Sequence, residues 1–188
     1  MENRFLVILI TVLLSSCSSL SISDETYAKY PDIKPILQDK IYRYNNCELI
    51  DKTKMNHNDI VVFRTSIWNH IKPNYKPKND DWKYGYVEMK IKNQKEINFV
   101  LKDHSNIVID TKDFRYKIKG NFVELSKQTL AEPLYIVLWV LGRQKIALGL
   151  TDQQQLKILR KYRSFGMLIF LPTFGGGDFE VSKFEKKE

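Results

Sequence analysis

The chain has 188 residues, of which 28% are charged and 43% hydrophobic, and it carries a formal net charge of +8 at pH 7. That length suits one domain with a sizeable core. With only two cysteines, Cys17 and Cys47, a secreted scaffold stapled by disulfides is excluded.

The N-terminus reads as a targeting segment. Met1-Glu2-Asn3-Arg4 is short and polar, and Phe5 to Leu14 is an apolar run broken only by Thr11. As a helix that run covers roughly 15 Å, about half of a bilayer's hydrocarbon core, which suits a signal peptide and not a span. Leu14-Ser15-Ser16-Cys17 then resembles the lipobox of bacterial lipoproteins, a likeness confined to residues 1–17. The resemblance implies cleavage between Ser16 and Cys17, diacylglycerol on the Cys17 sulfur, and acylation of the new amino group. Ser18 after the cysteine implies delivery to the outer membrane, facing the periplasm. Two or three acyl chains hold a protein firmly, at about 0.8 kcal/mol per buried methylene.

The leader of residues 1–16 contributes one acid and one base, so the mature chain keeps its excess of eight positive charges. Such an excess favours anionic partners: lipid head groups, lipopolysaccharide phosphates or acidic proteins. Export argues against nucleic acid.

Residues 17–39 read as the lipidated cysteine and a flexible tether, Ser-rich at first and carrying Pro31 and Pro35. Twenty such residues would reach roughly 65–70 Å when extended. Residues 40–174 read as one α+β domain. Arg43–Ile50 and Ile60–Phe63 suggest two early strands, with Cys47 as a small buried hydrophobe. Val87, Met89 and Ile91 alternate with charged residues, and Ile97, Phe99 and Leu101 do so after a turn at Asn93–Lys95. Ile107–Ile109 follows a turn at Asp103–Ser105, and Asp110–Asp113 reads as another turn. Phe114, Tyr116 and Ile118 resume the alternation, and Gly120-Asn121 is a hairpin signal before Phe122–Leu125. This pattern predicts an antiparallel meander of about five to seven strands, wet on one face.

After Ser126 the sequence suggests two helices covering that sheet. Thr129 and Glu132 fit a capping box, Pro133 a first turn, Leu134–Leu141 a buried helix and Gly142 its C-cap. Thr151 and Gln154 repeat the cap signal, with Leu156, Leu159 and Tyr162 as the inward stripe. Met167–Leu171 reads as a short strand ended by Pro172, and residues 175–188 as a flexible tail.

Chemistry-bearing motifs are sparse. His57, His70 and His104 lack metal-ligand spacing, no serine sits in a nucleophile elbow, and Gly175-Gly176-Gly177 is not followed by the Lys of a phosphate loop. No catalytic, cofactor-binding or metal residue is therefore assigned. The candidate site is a basic stripe: Lys157, Arg160 and Lys161, at i, i+3 and i+4, would share a helix face that meets anionic head groups. Trp68, Trp82, Tyr84 and Tyr86 with Lys76 and Lys78 form a second candidate surface. The leading expectation is a membrane-anchored envelope lipoprotein that binds another envelope protein or anionic lipid without catalysis. An immunity protein against a periplasm-targeted toxin and a hydrolase of envelope lipid or glycan are the alternatives.

Overall fold

The computed structural model describes residues 20–47, 65–73, 75, 85–135, 138–168 and 171–187, with the backbone alone for 130–141 and 165–175. Its main feature is a nine-stranded antiparallel sheet. The strands are β1 (Ile41–Asn45), β2 (Tyr86–Ile91), β3 (Glu96–Lys102), β4 (Val108–Lys119), β5 (Phe122–Leu125), β6 (Gln128–Tyr135), β7 (Leu138–Leu150), β8 (Leu156–Leu168) and β9 (Leu171–Phe184). They lie in the order β1-β2-β3-β4-β5-β7-β8-β9, with β6 continuing the line of β5 along β7. The sheet curls into a half-barrel, and its two ends meet. Asn45 N donates to Glu185 O and Lys187 N to Arg43 O, both at 2.9 Å, so the chain just beyond β9 is bonded to β1.

The middle of the fold follows the sequence's alternation. In β2 and β3 the predicted apolar set, Val87, Met89, Ile91, Ile97, Phe99 and Leu101, is buried on one face. Gly120, at φ +58°, turns β4 into β5 where the Gly-Asn signal stands. The Asp103 carboxylate closes its predicted turn by accepting from Ser105 N and Ile107 N, each at 2.8 Å. The turn expected at Asp110–Asp113 is absent. These residues run straight through β4, paired with Leu101, Val100, Phe99 and Asn98 of β3. Their polar side chains find partners instead: Lys92 at 2.8 Å and Asn98 at 2.7 Å on Asp113 on the wet face, and Lys72 on Asp110 on the opposite face. The strand expected at Ile60–Phe63 falls outside the described residues.

The fold is therefore not α+β with two covering helices. The run from Leu134 to Leu141 enters β6 and β7, and Lys157–Arg163 lies in β8. Gly142, expected as a helix cap, pairs with Leu130 on one side and Ser164 on the other. Thr151 and Gln154 form the β7–β8 turn, in which Gln155 N donates to Thr151 Oγ1 and Gln154 adopts φ +59°. An uninterrupted apolar run has no period and fits a doubly covered strand as well as a buried helix. The Ile, Val, Tyr and Trp content of this run favours the strand. Pro133 and Pro172 stand on β6 and β9, each paired on one side among the described residues, where a missing N–H is tolerated. The supposed tail belongs to β9 as well, and Phe184 is fully buried.

Two covers enclose the sheet. Inside the curl sits α2 (Ile67–Ile71), whose Ile67, Trp68, His70 and Ile71 are buried against Tyr44, Phe99, Ile146, Ile158 and Phe184. Ser66 Oγ accepts from Asn69 N, and Asn46 Oδ1 from Trp68 N, which cap this five-residue helix. Outside, residues 20–36 form a strap across β5, β7 and β8, including the short helix α1 (Asp24–Ala28). Ile22 and Ile33 are buried with Phe122, Ala147 and Leu159, and Tyr27 and Tyr30 pack on them. Lys34 exchanges backbone hydrogen bonds with Leu150 at 2.7 and 3.1 Å. The segment expected to be a flexible tether is thus docked from Leu20 onward. A single turn of helix has no stability of its own, so burial of these apolar side chains must hold it.

The strap depends on Gly149. A Cβ there would lie 2.3 Å from Ile33 Cγ2 and 3.1 Å from the Phe122 ring. Gly149→Ala should destabilise the protein by about 1–3 kcal/mol through overpacking. Urea denaturation would read the loss, and limited trypsin digestion should show faster cutting after Lys29.

Candidate functional site

The register of β7, β8 and β9 arranges the outer face as a grid. One row holds Arg143, Arg163 and Gly177; the next holds Lys145, Lys161 and Phe179. Below them come Ala147, Leu159 and Val181, and then Gly149, Lys157 and Lys183. Arg143, Arg163 and Lys161 therefore stand together on one face, with Lys145 buried beside them on Glu124, next to a Phe179 that is 45% exposed. Like charges directly opposite in a sheet repel, so such a patch favours an anionic neighbour.

The stripe read from the sequence is divided by this geometry. Side chains alternate along a strand, so Lys157 and Lys161 face outward while Arg160 faces the interior. Lys161 Nζ donates to Ser21 O at 2.9 Å and so holds the start of the strap. Lys157 lies 4.2 Å from the centre of the Tyr30 ring, in a cleft of about 370 Å³ also lined by Lys29, Asp32, Asp152 and Lys183. Burial, then the neighbouring Lys183 charge, lowers the Lys157 pKa below the usual lysine value, and Asp32 opposes the effect.

Glu124 ties the strap to the sheet. Its carboxylate is 2% exposed and accepts from Tyr27 Oη at 2.8 Å, with Lys145 Nζ at 2.8 Å and Lys117 Nζ at 3.2 Å. Burial alone would raise this carboxyl, but hydrogen bonds from Lys145 and Tyr27, the Lys145 charge and Lys117 hold it below the ordinary value. Burial, with the adjacent carboxylate, pushes the Tyr27 phenol far up, so it remains a donor.

Arg160 belongs to a second, interior cluster. It donates through Nε to Gln144 Oε1 at 2.9 Å and meets Glu180 at 3.3 Å. Gln144 Nε2 donates to His70 O at 2.8 Å and to Gln128 Oε1 at 2.6 Å. His70 Nε2 lies 3.2 Å from Ser182 Oγ, and Nδ1 lies 3.9 Å from Glu180. Serine, histidine and glutamate in this order resemble a hydrolytic triad in composition. The geometry differs: Ser182 and His70 are 1% and 2% exposed, and Glu180 is engaged by Arg160 instead of the imidazole. Burial and then the Arg160 charge lower the His70 pKa to about 3. The ring is therefore neutral at pH 7, and its approach to Glu180 is not an ion pair. The cluster satisfies buried polar groups where the apolar core ends.

The remaining sequence candidates scatter. Trp68 is in the core, Tyr86 is buried, and His104 is exposed on a turn. Cys47 is half-buried and bridges Ser66 through the backbone. Cys17, His57, Lys76, Lys78, Trp82 and Tyr84 lie outside the described residues. Among the described residues no group of three His, Cys, Asp or Glu is placed to hold a metal, and no helix is long and apolar enough to cross a membrane. Arg143, Lys145 and Arg163 were missed because residues 143–163 were not read as strands, and Glu124 because nothing within its own predicted strand marks a buried carboxylate. Reading the two strands of residues 138–150 and 156–168 with a period of two places Arg143, Lys145, Lys157, Lys161 and Arg163 on one face. No family model, curated protein or solved structure matches the chain.

Two outcomes follow for the ionisable groups. Glu124→Ala leaves Lys145 buried without its carboxylate and should cost about 3 kcal/mol in urea unfolding. For His70, the unfolded imidazole binds its proton near pH 6.5 and the folded one only near pH 3, so the unfolded state gains protons first as pH falls. This residue's contribution is full above pH 6.5 and declines by up to about 1.4 kcal/mol per pH unit below it. The stability gap between wild type and His70→Asn should therefore shrink from pH 7 to pH 4. A gap constant with pH would show an unperturbed imidazole.

Proposed function

We propose that the protein is a cell-envelope lipoprotein, anchored through acylated Cys17 on the periplasmic side of the outer membrane, that works by binding and not by catalysis. The lipobox-like Leu14-Ser15-Ser16-Cys17 is the basis for the anchor. The observation that carries the reading further is the position of Ser21, whose carbonyl accepts from Lys161 on the cationic outer face. Three residues separate Ser21 from Cys17, and the four Cα-to-Cα steps reach at most about 14 Å. Acyl chains on that cysteine keep this face close to the head groups, within the range at which each cation contributes about 1 kcal/mol of attraction to anionic lipid. The ligand of such a face is an anionic lipid surface or an acidic envelope protein docked beside it.

Intact mass of the protein isolated from membranes tests the anchor. The expected species begins at Cys17 and carries two or three acyl chains, and Cys17→Ala should accumulate with its leader attached and without bound lipid. An unmodified mature N-terminus, or a Cys17→Ala protein processed and retained on membranes like wild type, would falsify the anchor.

A further inference from the structure

We infer that the far end of the β6–β9 sheet is a second membrane contact, inserting into the hydrocarbon of a single leaflet. The inference rests on the preceding reading only for which membrane the end meets. Beyond the Arg143–Arg163 pair, four strands run on together: Gly142 pairs with Ser164, Val140 with Gly166, Trp139 with Met167 and Leu138 with Leu168. β6 flanks them through Leu130–Tyr135, and β9 through Leu171–Phe174.

The composition of this end sets it apart. Residues 133–142 and 164–177 contain no charged side chain, in a chain that is 28% charged overall. Elsewhere β2 and β3 alternate apolar with polar, as a sheet with one wet face requires. Here apolar residues follow one another, and successive residues of a strand lie on opposite faces. Both faces of this end are therefore apolar, so the end requires an apolar surround on each side. The strap's first described residues reach the outer face at Lys161, and α2 reaches the inner face at Gln144. Both meet the sheet at or below the cationic rows.

Charge and length fit a bilayer as the surround. Arg143, Lys161 and Arg163 form a belt at the root of the apolar end, where phosphates would lie, and long basic side chains at that depth keep their charges at the interface. From the Arg143–Arg163 pair to the Leu138–Leu168 pair is five residues, about 17 Å of strand. Half of a hydrocarbon core is about 15 Å. The end therefore fills one leaflet and does not span. Ser21, the root of the short link to Cys17, is bonded at the same belt, so the lipid anchor and the apolar end engage the same membrane surface. Open sheet edges are costly in hydrocarbon. The edge strands β6 and β9 each carry a proline, Pro133 and Pro172, which has no N–H to leave unpaired.

Trp139 supplies the test. The full-length protein, purified in detergent, is reconstituted into vesicles of phosphatidylethanolamine and phosphatidylglycerol, with and without acyl chains brominated towards their methyl ends, the depth that four residues of strand beyond Arg143 reach. Wild-type emission should fall in the brominated vesicles, and Trp139→Phe should abolish that fall. Leu138→Asp with Leu168→Asp should abolish it too, with far-ultraviolet circular dichroism and sedimentation confirming a folded protein. Unquenched Trp139 emission in vesicle-bound protein overturns the proposal. So does an oligomer in which a second copy shields Trp139 from bromine. Mass analysis of the same sample separates this question from the anchor. Acylated protein without quenching sinks the insertion and leaves the anchor, whereas quenching with an unmodified Cys17 does the reverse.

Discussion

Strands β7 and β8 carry apolar side chains on both of their faces, and most of the architecture answers that constraint. Ile146, Leu148 and Ile158 point inward, while Ala147 and Leu159 point outward between them. A sheet with one wet face needs one cover; these strands need two. The interior cover is the curl of the sheet itself, closed from β1 to the end of β9 and filled by α2. The exterior cover is the strap, whose Ile22 and Ile33 lie over Ala147, Leu159 and the Gly149 backbone. Covering the outer face in this way also brings the N-terminal segment to Lys161, which limits how far Cys17 can lie from the sheet.

Two polar groups of residues mark where the covers stop. Glu124, Lys145 and Tyr27 lie under the strap, and Gln144, Arg160, Glu180, His70 and Ser182 lie within the curl. Each member is partnered at hydrogen-bond or ion-pair distance, which limits the cost of burying it. Both groups also oppose slippage. A one-residue shift of β8 on β7 would turn Arg160 outward and Leu159 inward, breaking the interior network and uncovering the strap's seat together. Beyond these networks the strands run on as an apolar end with a cationic root, so the polar layer separates a protein-covered half from a half that lipid can cover.

The parts of the fold legible in the sequence were those whose two faces meet different surroundings. β2, β3 and the β4–β5 hairpin showed themselves through alternation and through Gly120-Asn121, because one face is core and the other water. The C-terminal half gave no such contrast. With both faces apolar, Leu134–Leu141 and Met167–Leu171 lacked a period, and cap-like residues tipped the reading toward helix. The same error put Lys157, Arg160 and Lys161 on one face, whereas a period of two sends Arg160 to Gln144 and Glu180. The strap was obscure for a related reason. Leu20, Ile22, Ile33 and Ile36 are too irregularly spaced to suggest an element; Ile22 and Ile33 are buried because β5, β7 and β8 offer a complementary surface, and Ile36 because it joins the main core.

By itself, the sequence determined the character of each surface: an apolar N-terminal run ahead of Cys17, an alternating meander, a basic excess, and a charge-free pair of segments near the C-terminus. Such properties depend on side-chain chemistry within a few neighbouring residues, so they survive without knowledge of the fold. Only the tertiary structure decided which of these surfaces share a face. Pairing β7 with β8 in one register, residue opposite residue over thirteen positions, stacks Arg143 on Arg163 and Lys145 on Lys161 and places the charge-free segments side by side. That juxtaposition follows from hydrogen bonding between strands and from the burial that selects their register, neither of which is a property of a local stretch of chain.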